Sequence, residues 1–313
     1  MTTPRRLGVG LGYRQEIKED ILAARSQIDF LELITDQYID MPAYRPAEAQ
    51  GLSQLFPLLL HGVDLSVGTA TAPDPEYVRK LSALADRLDP EWVSDHLCFT
   101  GVPELNIGQL TPLAFNAETV EYAARNIRTV AGIVQRPFAV ENISYYFRVP
   151  GSTMTEAQFI TEVIERADCH LLLDLTNLAN NAINNHYDPV GFLDQIPLER
   201  VLQIHLAGGY WHDGVLLDTH SHPVPADVLE LLRLVAGRMP ALAGVMIERD
   251  QNFPPMAELL GELAAIRAIL GDWAPPVPLP AASPDSPASP EPRVVAEDSP
   301  QGGFIGSVGG VLR

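Results

Sequence analysis

Short apolar runs alternate with amphipathic stretches from residue 7 to about residue 271. Eight runs have the length and apolar character of buried strands: Leu7–Gly12, Phe30–Thr35, Leu58–Val63, Trp92–Phe99, Phe138–Ile143, His170–Leu175, Val201–Leu206 and Gly244–Glu248. Between and after them apolar positions recur at helical spacing over about 15–26, 46–56, 75–88, 114–134, 155–166, 188–195, 225–237 and 255–269. Pro73-Asp-Pro75, Thr111-Pro112 and Asp188-Pro189 supply helix-start chemistry for the third, fourth and sixth of these stretches. Continuous apolar strands separated by helices pair in parallel and are covered on both faces, so the pattern predicts an α/β fold of the (β/α)8 TIM-barrel class. A doubly wound open sheet would announce a glycine-rich phosphate turn after its first strand. Gly8-Val-Gly10-Leu-Gly12-Tyr13 lacks the third glycine at that spacing.

The alternation stops at Trp273. From Ala274 the chain turns to Pro, Ala, Ser and acidic residues, then to Gly as far as Arg313. Such a composition buries too little apolar surface to offset its ordering entropy. The expected organisation is therefore a barrel domain over residues 1–273 and a disordered tail over 274–313.

Charge narrows the partners. The net charge of −19, from 40 acidic and 21 basic residues, repels nucleic-acid phosphates and anionic membranes. Only Lys18 and Lys80 are lysines, both in helical stretches, which disfavours Schiff-base chemistry. Two cysteines, Cys98 and Cys169, make neither a disulfide framework nor a thiolate zinc site. The first residues carry no apolar segment of signal-peptide length, and no window approaches the ~20 apolar residues of a membrane span. A soluble protein of the reducing cytoplasm is expected.

The chemistry lies at strand ends. In a parallel barrel the strand C-termini meet at one rim, and here they read Glu32…Asp36, His61…Asp64, Asp95-His96, Glu141-Asn142, Asp174…Asn177, His205 and Glu248-Arg249-Asp250. The segment after His205 adds Asp218-Thr-His220. Carboxylates packed this closely repel one another and lose hydration, so the cluster calls for bound cations. Imidazole mixed with carboxylate, without thiolate, suits iron, manganese or zinc better than calcium. Nine candidates, His61, His96, Glu141, Asp174, His205, Asp218, His220, Glu248 and Asp95, exceed what one ion uses and point to two or three ions with bridging carboxylates. Asp95 and His96 are neighbours on a strand and face opposite ways, which favours His96 as the ligand. Asp95, Asn142, Asn177 and His186 are candidates for supporting positions behind the ligands. Glu32 and Asp36 read as partners of Arg14 or as helix caps, His170 as structural, and His212 and His222 as supporting or solvent-facing. Cys98 reads as a small buried hydrophobe.

Seven motifs in order, His61-Gly-Val-x-Leu-Ser-x-Gly68, Ser94-Asp-His96, Glu141-Asn-x-Ser144, Leu173-Asp-x-x-Asn177, His205-Leu-Ala-Gly208, Asp218-Thr-His220 and Glu248-Arg-Asp250, resemble the multinuclear non-haem iron-dependent oxidases. This family includes the methanobactin biosynthesis oxidase. The resemblance covers residues 7–270 and implies a xylose-isomerase-like barrel with two or three irons in mixed Fe2+/Fe3+ valence. It implies the use of O2 to modify a cysteine or similar residue of a ribosomally made precursor peptide, commonly presented by a separate partner protein. Carried over, His61, His96 and Glu141 would hold one iron, and Glu141, Asp174, His205 and Glu248 a second. Asp218 and His220 would serve a third or share the second, and Glu141, Asp174 and His205 would stand at the reacting centre. The chain departs from the family pattern at Gly209, where many relatives carry another histidine.

Rival readings of the same barrel are a divalent-metal sugar isomerase or epimerase and a phosphoesterase of the endonuclease IV type. The first wants a lysine or a glutamate pair around a small pocket, and the two lysines here are misplaced; the second wants a basic rim, which the net charge of −19 opposes. A non-catalytic metal-binding or peptide-binding protein is a third reading, distinguished by metal content without O2 consumption.

Overall fold

The structure, a computed structural model, describes residues 4–39, 41–42, 44–102 and 105–271. The expected tail lies outside the described residues. Eight parallel strands close a barrel: β1 (Gly8–Gly12), β2 (Leu31–Ile34), β3 (Leu58–Gly62), β4 (Val93–His96), β7 (Phe138–Glu141), β8 (His170–Asp174), β9 (Val201–Leu206) and β12 (Gly244–Ile247). β1 pairs with both β2 and β12, which completes the circle. The remaining strands form two antiparallel hairpins, β5 (Phe99–Val102) with β6 (Leu105–Thr111), and β10 (Tyr210–His212) with β11 (Val215–Leu217). Both hairpins follow strand C-termini, so they stand on the rim where the ligand candidates gather. The apolar run expected as one strand over Trp92–Phe99 is thus two, broken at Leu97 and Cys98 after the chain leaves the barrel.

The helices are α1 (Lys18–Ala23), α2 (Tyr44–Ser53), α3 (Pro75–Leu88), α4 (Ala117–Val134), α5 (Glu156–Ala167), α6 (Leu175–Asn185), α7 (Pro189–Leu193), α8 (Ala226–Val235) and α9 (Met256–Leu270). Local chemistry fixes their starts. The Asp74 side chain accepts from Glu76 N–H ahead of α3, and Thr155 and Gln158 form a reciprocal capping box at α5. Among the described residues no helix is long and apolar enough to cross a membrane.

Inside the barrel the alternation of strand side chains builds two levels. The lower is an apolar plug of Phe30, Leu59, Trp92, Leu202 and Met246 with Leu7 and Ala243. Two residues further along their strands, Phe30 gives way to Glu32, Leu59 to His61 and Met246 to Glu248. Each of these apolar positions therefore carries a polar one directly above it. Room for the plug comes from Gly10, where an added Cβ would lie 2.7 Å from three Phe30 ring atoms.

α6 is an addition to the expected elements. It begins without a loop at the end of β8, capped by Asp174, whose side chain accepts from Asn177 N–H at 2.6 Å. Its sequence, Leu-Thr-Asn-Leu-Ala-Asn-Asn-Ala-Ile-Asn-Asn, is poor in helix formers, because asparagine side chains compete for backbone groups. Here those amides clasp neighbouring loops. Asn181 takes Tyr145 N–H and donates to Ile143 C=O, and Asn184 pairs with both backbone groups of Leu216 in β11. Beside Asn181, the buried Glu156 accepts from the hydroxyls of Tyr145 at 3.0 Å and Tyr187 at 3.2 Å. Burial pushes its carboxyl up to about 7 despite those hydrogen bonds.

Two measurements follow from this packing. Gly10→Ala is expected to overpack the plug and to lower stability by about 1–3 kcal/mol, read as a fall in the urea midpoint without a change in slope. For Glu156 the folded state holds its proton more tightly than the unfolded chain, so its contribution to stability is full below about pH 4.5 and is lost as pH rises to about 7. The stability of Glu156→Gln relative to the parent should therefore rise by about 3 kcal/mol between pH 4.5 and pH 8. A pH-independent difference would show that Glu156 titrates normally.

Candidate metal centre

His61, His96, Glu141, Asp174, His205 and Glu248 sit at or just past the ends of barrel strands, Asp218 and His220 in the segment after the β10–β11 hairpin, and the backbone brings them together in three overlapping groups. His61, His96 and Glu141 form the first, Glu141, Asp174 and His205 the second, and Asp174, His220 and Glu248 the third, each with ligand atoms within 4.8 Å of one another. Glu141 and Asp174 are each shared by two groups. Glu248, expected with His205, joins His220 and Asp174 in the third group, although its Oε2 also lies 3.5 Å from His205 Nδ1. Asp218 lies beside His220, 2.9 Å from Oδ1 to Nε2.

His61 Nε2 lies 3.3 Å from His96 Nε2, within hydrogen-bond reach, but the short contacts of the carboxylates in the cluster are not hydrogen bonds in direction. Glu141 Oε2 is 3.0 Å from His61 Nε2 and 3.4 Å from His96 Nε2, yet it has no hydrogen-bond partner. The same holds for Asp174 Oδ2, His205 Nδ1, Asp218 Oδ1 and His220 Nε2, all buried. Buried polar atoms in native proteins are nearly always paired. Lone pairs that converge on common points without bonding one another are the geometry of a coordination site, so these residues fit bound cations.

The opposite edge of each ligand is held by the fold. His96 Nδ1 bonds Gly62 C=O at 3.0 Å, which puts its proton there and leaves Nε2 bare. His61 Nδ1 bonds the Ser94 hydroxyl at 2.9 Å. His220 Nδ1 bonds Asp250 Oδ2 at 2.9 Å, and Asp250 N–H in turn donates to His220 C=O. Arg14 donates to Glu248 Oε1 at 2.9 Å and to Asp250 Oδ1, leaving Glu248 Oε2 turned inward. Asn142 grips both backbone groups of Asp174 at 2.9 Å, and Asn177 donates to Asn142 C=O while its carbonyl takes the Ser144 hydroxyl. Asn142 and Asn177 thus stand behind the cluster.

Charges within the cluster split sharply. Burial works against charge on His61, but Glu141 and Glu32 push it up to about 9, while burial beside His61 holds His96 down at about 4. Burial likewise opposes ionisation of Glu141 and Glu248; the surrounding histidines overcome it and hold both below the usual carboxylate range. Asp174, buried and facing Glu141 and Asp218, is pushed well up.

Other residues fall elsewhere. His186 is exposed as the left-handed C-cap of α6, a helix of 11 residues and hence about 16 Å from Asp174, so it supports no ligand. Asp95 faces out of the barrel toward Asp36 and Tyr77 and takes no part in the three groups. Its Oδ2 would lie 2.2 Å from a Cβ at position 62, which explains the glycine after His61. Asp36 accepts from Val63 N–H and the Tyr77 hydroxyl rather than pairing with Arg14. Glu32 does not pair with Arg14 by a direct contact either; it lies 3.0 Å from His205 Nε2. Cys98 is fully buried, and His212 and His222 are exposed. At Gly209 an added Cβ would lie 1.8 Å from Leu217 C=O, so the hairpin leaves no room for a side chain at this position. Gln203 and Asn181 escaped the sequence reading, and Glu32 and Arg14 were named there only as partners of each other. The signal for Gln203 was a polar residue at an inward position of an otherwise apolar strand; for Asn181 there was none.

The comparisons agree with the fold and name a family. A UPF0276 protein of Caulobacter vibrioides is 40% identical over 263 residues, covering 83% of this chain and 93% of the relative. One from Neisseria meningitidis serogroup B is 36% identical over 266 residues, covering 82% and 93%. Among solved structures, an L-ribulose 3-epimerase superposes with a TM-score of 0.56 at 15% identity over 85% of this chain and 94% of that one. Endonuclease IV from Thermus thermophilus gives 0.54 at 20% identity over 84% and 98%. At such identities these structures speak for the xylose-isomerase-like barrel alone. Over residues 8–271 the chain matches, and it belongs to, the family of RiPP precursor modification enzymes MbnB/TglH/ChrH.

Proposed function

We propose that this enzyme is a multinuclear iron-dependent oxidase that uses O2 to modify a cysteine or similar residue of a ribosomally synthesised precursor peptide. In this reading residues 1–273 are the catalytic domain, a separate protein presents the peptide, and the reaction takes place in the cytoplasm. The observation that carries it is the sharing of Glu141 and Asp174 among three groups of buried donors, in a chain of a family that acts on RiPP precursors.

His61, His96 and Glu141 would hold one iron, Glu141, Asp174 and His205 a second, and Asp174, His220 and Glu248 a third, with Asp218 at its edge. Bound there, iron supplies one-electron chemistry toward O2 that no side chain of the cluster possesses. The protein's part is orientation and exclusion of water. Leu105, Ile107, Tyr146, Phe147, Tyr210 and Trp211 are exposed apolar residues of the loops that follow β4, β7 and β9, the strands of His96, Glu141 and His205. They offer a peptide apolar contact around the mouth of the cluster. The hydroxyl of Tyr146 accepts from Asp218 N–H at 3.2 Å and so ties the loop after β7 to the segment that carries His220. Asp250 holds the Nδ1 proton of His220, so that its Nε2 stays free to bind.

Protein purified without oxygen should contain two to three irons per chain by elemental analysis, with a coupled ferric–ferrous Mössbauer signal. With reductant, O2 and its precursor peptide, it should consume oxygen and change the peptide's mass. Uptake of zinc or manganese only would move the assignment to a hydrolase or isomerase on the same barrel. Glu141→Gln, which removes a donor shared by two groups, should reduce metal content by more than His61→Ala, whose residue belongs to one. Equal losses would show that Glu141 bridges nothing.

A further inference from the structure

Behind His205, a line of buried side chains runs down into the barrel. Trp92 Nε1 donates to Gln203 Oε1 at 2.6 Å, Gln203 Nε2 donates to Glu32 Oε2 at 2.6 Å, and Glu32 Oε1 lies 3.0 Å from His205 Nε2. Trp92, Gln203 and His205 have no exposed surface and Glu32 has 3%. The line has one consistent direction. An indole N–H only donates, so the Gln203 carbonyl faces Trp92 and its amide nitrogen faces Glu32. A carboxylate only accepts, and its lone pairs would repel a bare ring nitrogen 3.0 Å away in a water-free interior. The His205 proton therefore sits on Nε2. Gln203 Nε2 also lies 2.9 Å from that nitrogen and has a second hydrogen to offer it, but a bare Nε2 accepting there would still set its lone pair against Glu32 Oε1 at 3.0 Å, so the arrangement in which Nε2–H donates to the carboxylate is the favourable one.

This makes His205 the odd member of its set. His96 and His220 keep protons on Nδ1, bonded to Gly62 C=O and Asp250, and His61 bonds Ser94 through Nδ1; all three turn Nε2 toward the cluster. His205 turns Nδ1 inward, 3.6 Å from Glu141 Oε1 and 3.5 Å from Glu248 Oε2, with no hydrogen-bond partner. A ring used in the reverse sense needs an acceptor on its far side. We propose that Glu32, aligned by Gln203 and Trp92, is the positioning residue that fixes the tautomer of His205 and makes it bind metal through Nδ1. A carboxylate behind a ligating imidazole also raises its donor strength. The inference rests on the three groups being metal sites.

The test uses the full chain with ¹⁵N-labelled histidine, loaded with zinc as a diamagnetic probe. Long-range ¹H–¹⁵N spectra, with His205 assigned by His205→Asn, should show metal on Nδ1 and a hydrogen-bonded proton on Nε2 of that ring. Glu32→Leu should lose the protected Nε2–H signal and weaken the tightest-coupled zinc site by about 10–100-fold. Glu32→Gln keeps the shape and an acceptor oxygen; it should retain the signal, bind zinc more weakly than the parent, and stand in if the leucine variant does not fold. Zinc on Nε2 in the parent, or parent-like affinity in both variants, overturns the proposal. A parent that takes up neither zinc nor iron overturns the metal reading itself and removes the role of Glu32 with it, an outcome distinct from metal bound through the wrong nitrogen.

Discussion

The structure depends on keeping a crowd of carboxylates and imidazoles together in a place with almost no water. Glu32, Glu141, Asp174 and Glu248 are each at most 8% exposed and converge with His61, His96, His205 and His220 at the top of one barrel. Isolated buried charges of this kind cost several kcal/mol each, so the cluster exists only if positive charge is built in beside them. Without metal, the imidazoles answer this need: burial opposes charge on His61, His205 and His220, yet neighbouring carboxylates push all three up, while burial beside Glu141 and Asp218 pushes Asp174 up as well. Cations bound at the same points replace the protons that these groups hold, which couples metal uptake to proton release. Arg14 is the one fixed cation of the arrangement, and it is spent on turning Glu248 and Asp250 into position.

The barrel meets this constraint by stacking it on an inert base. Because strand side chains alternate, placing Phe30, Leu59 and Met246 in the plug forces Glu32, His61 and Glu248 to face inward one level higher. A register slip of one residue in any of these strands would bury the ligand against a helix and turn an apolar residue to the cluster. Packing of the plug thus sets the height at which the ligands meet. The outer shell then fixes their rotation: Gly62 C=O, the Ser94 hydroxyl, Glu32 and Asp250 stand behind the four rings, and Arg14 behind Glu248, so that little rotamer freedom remains to be lost when a cation arrives.

Much of this was legible in the sequence, and the residues explain why. The eight barrel strands are apolar runs, seven of them with a polar residue at or just past the end, and both features survive translation into structure because parallel strands are buried on both sides. The ligand candidates could be named from their place at strand ends. What stayed hidden was pairing at a distance. Nothing near Arg14 in the chain indicates Glu248, 234 residues away, and nothing near Glu32 indicates His205 or Gln203. α6 was hidden for a different reason: its asparagines depress helix propensity, and the contacts that compensate, such as Asn181 with Ile143 and Asn184 with Leu216, are tertiary. His186 and Asp95 show the opposite failure, where a plausible residue type near the motifs is turned away by a helix end or by strand alternation.

Asp174 shows how tightly fold and site are joined. One carboxylate oxygen caps α6 and the other is left bare toward Glu141, while both backbone groups of the residue are clasped by Asn142 from the loop after β7. The cap starts the helix at the strand end, and the helix carries Asn177, Asn181 and Asn184 to the loops that hold Ser144, Tyr145 and the β10–β11 hairpin. That hairpin closes over Gly209 and leads back into Asp218 and His220. The same side chain is thus helix cap and ligand candidate, so the place of the Asp174 carboxylate in the cluster and the place of α6 with the loops it clasps are set by one group.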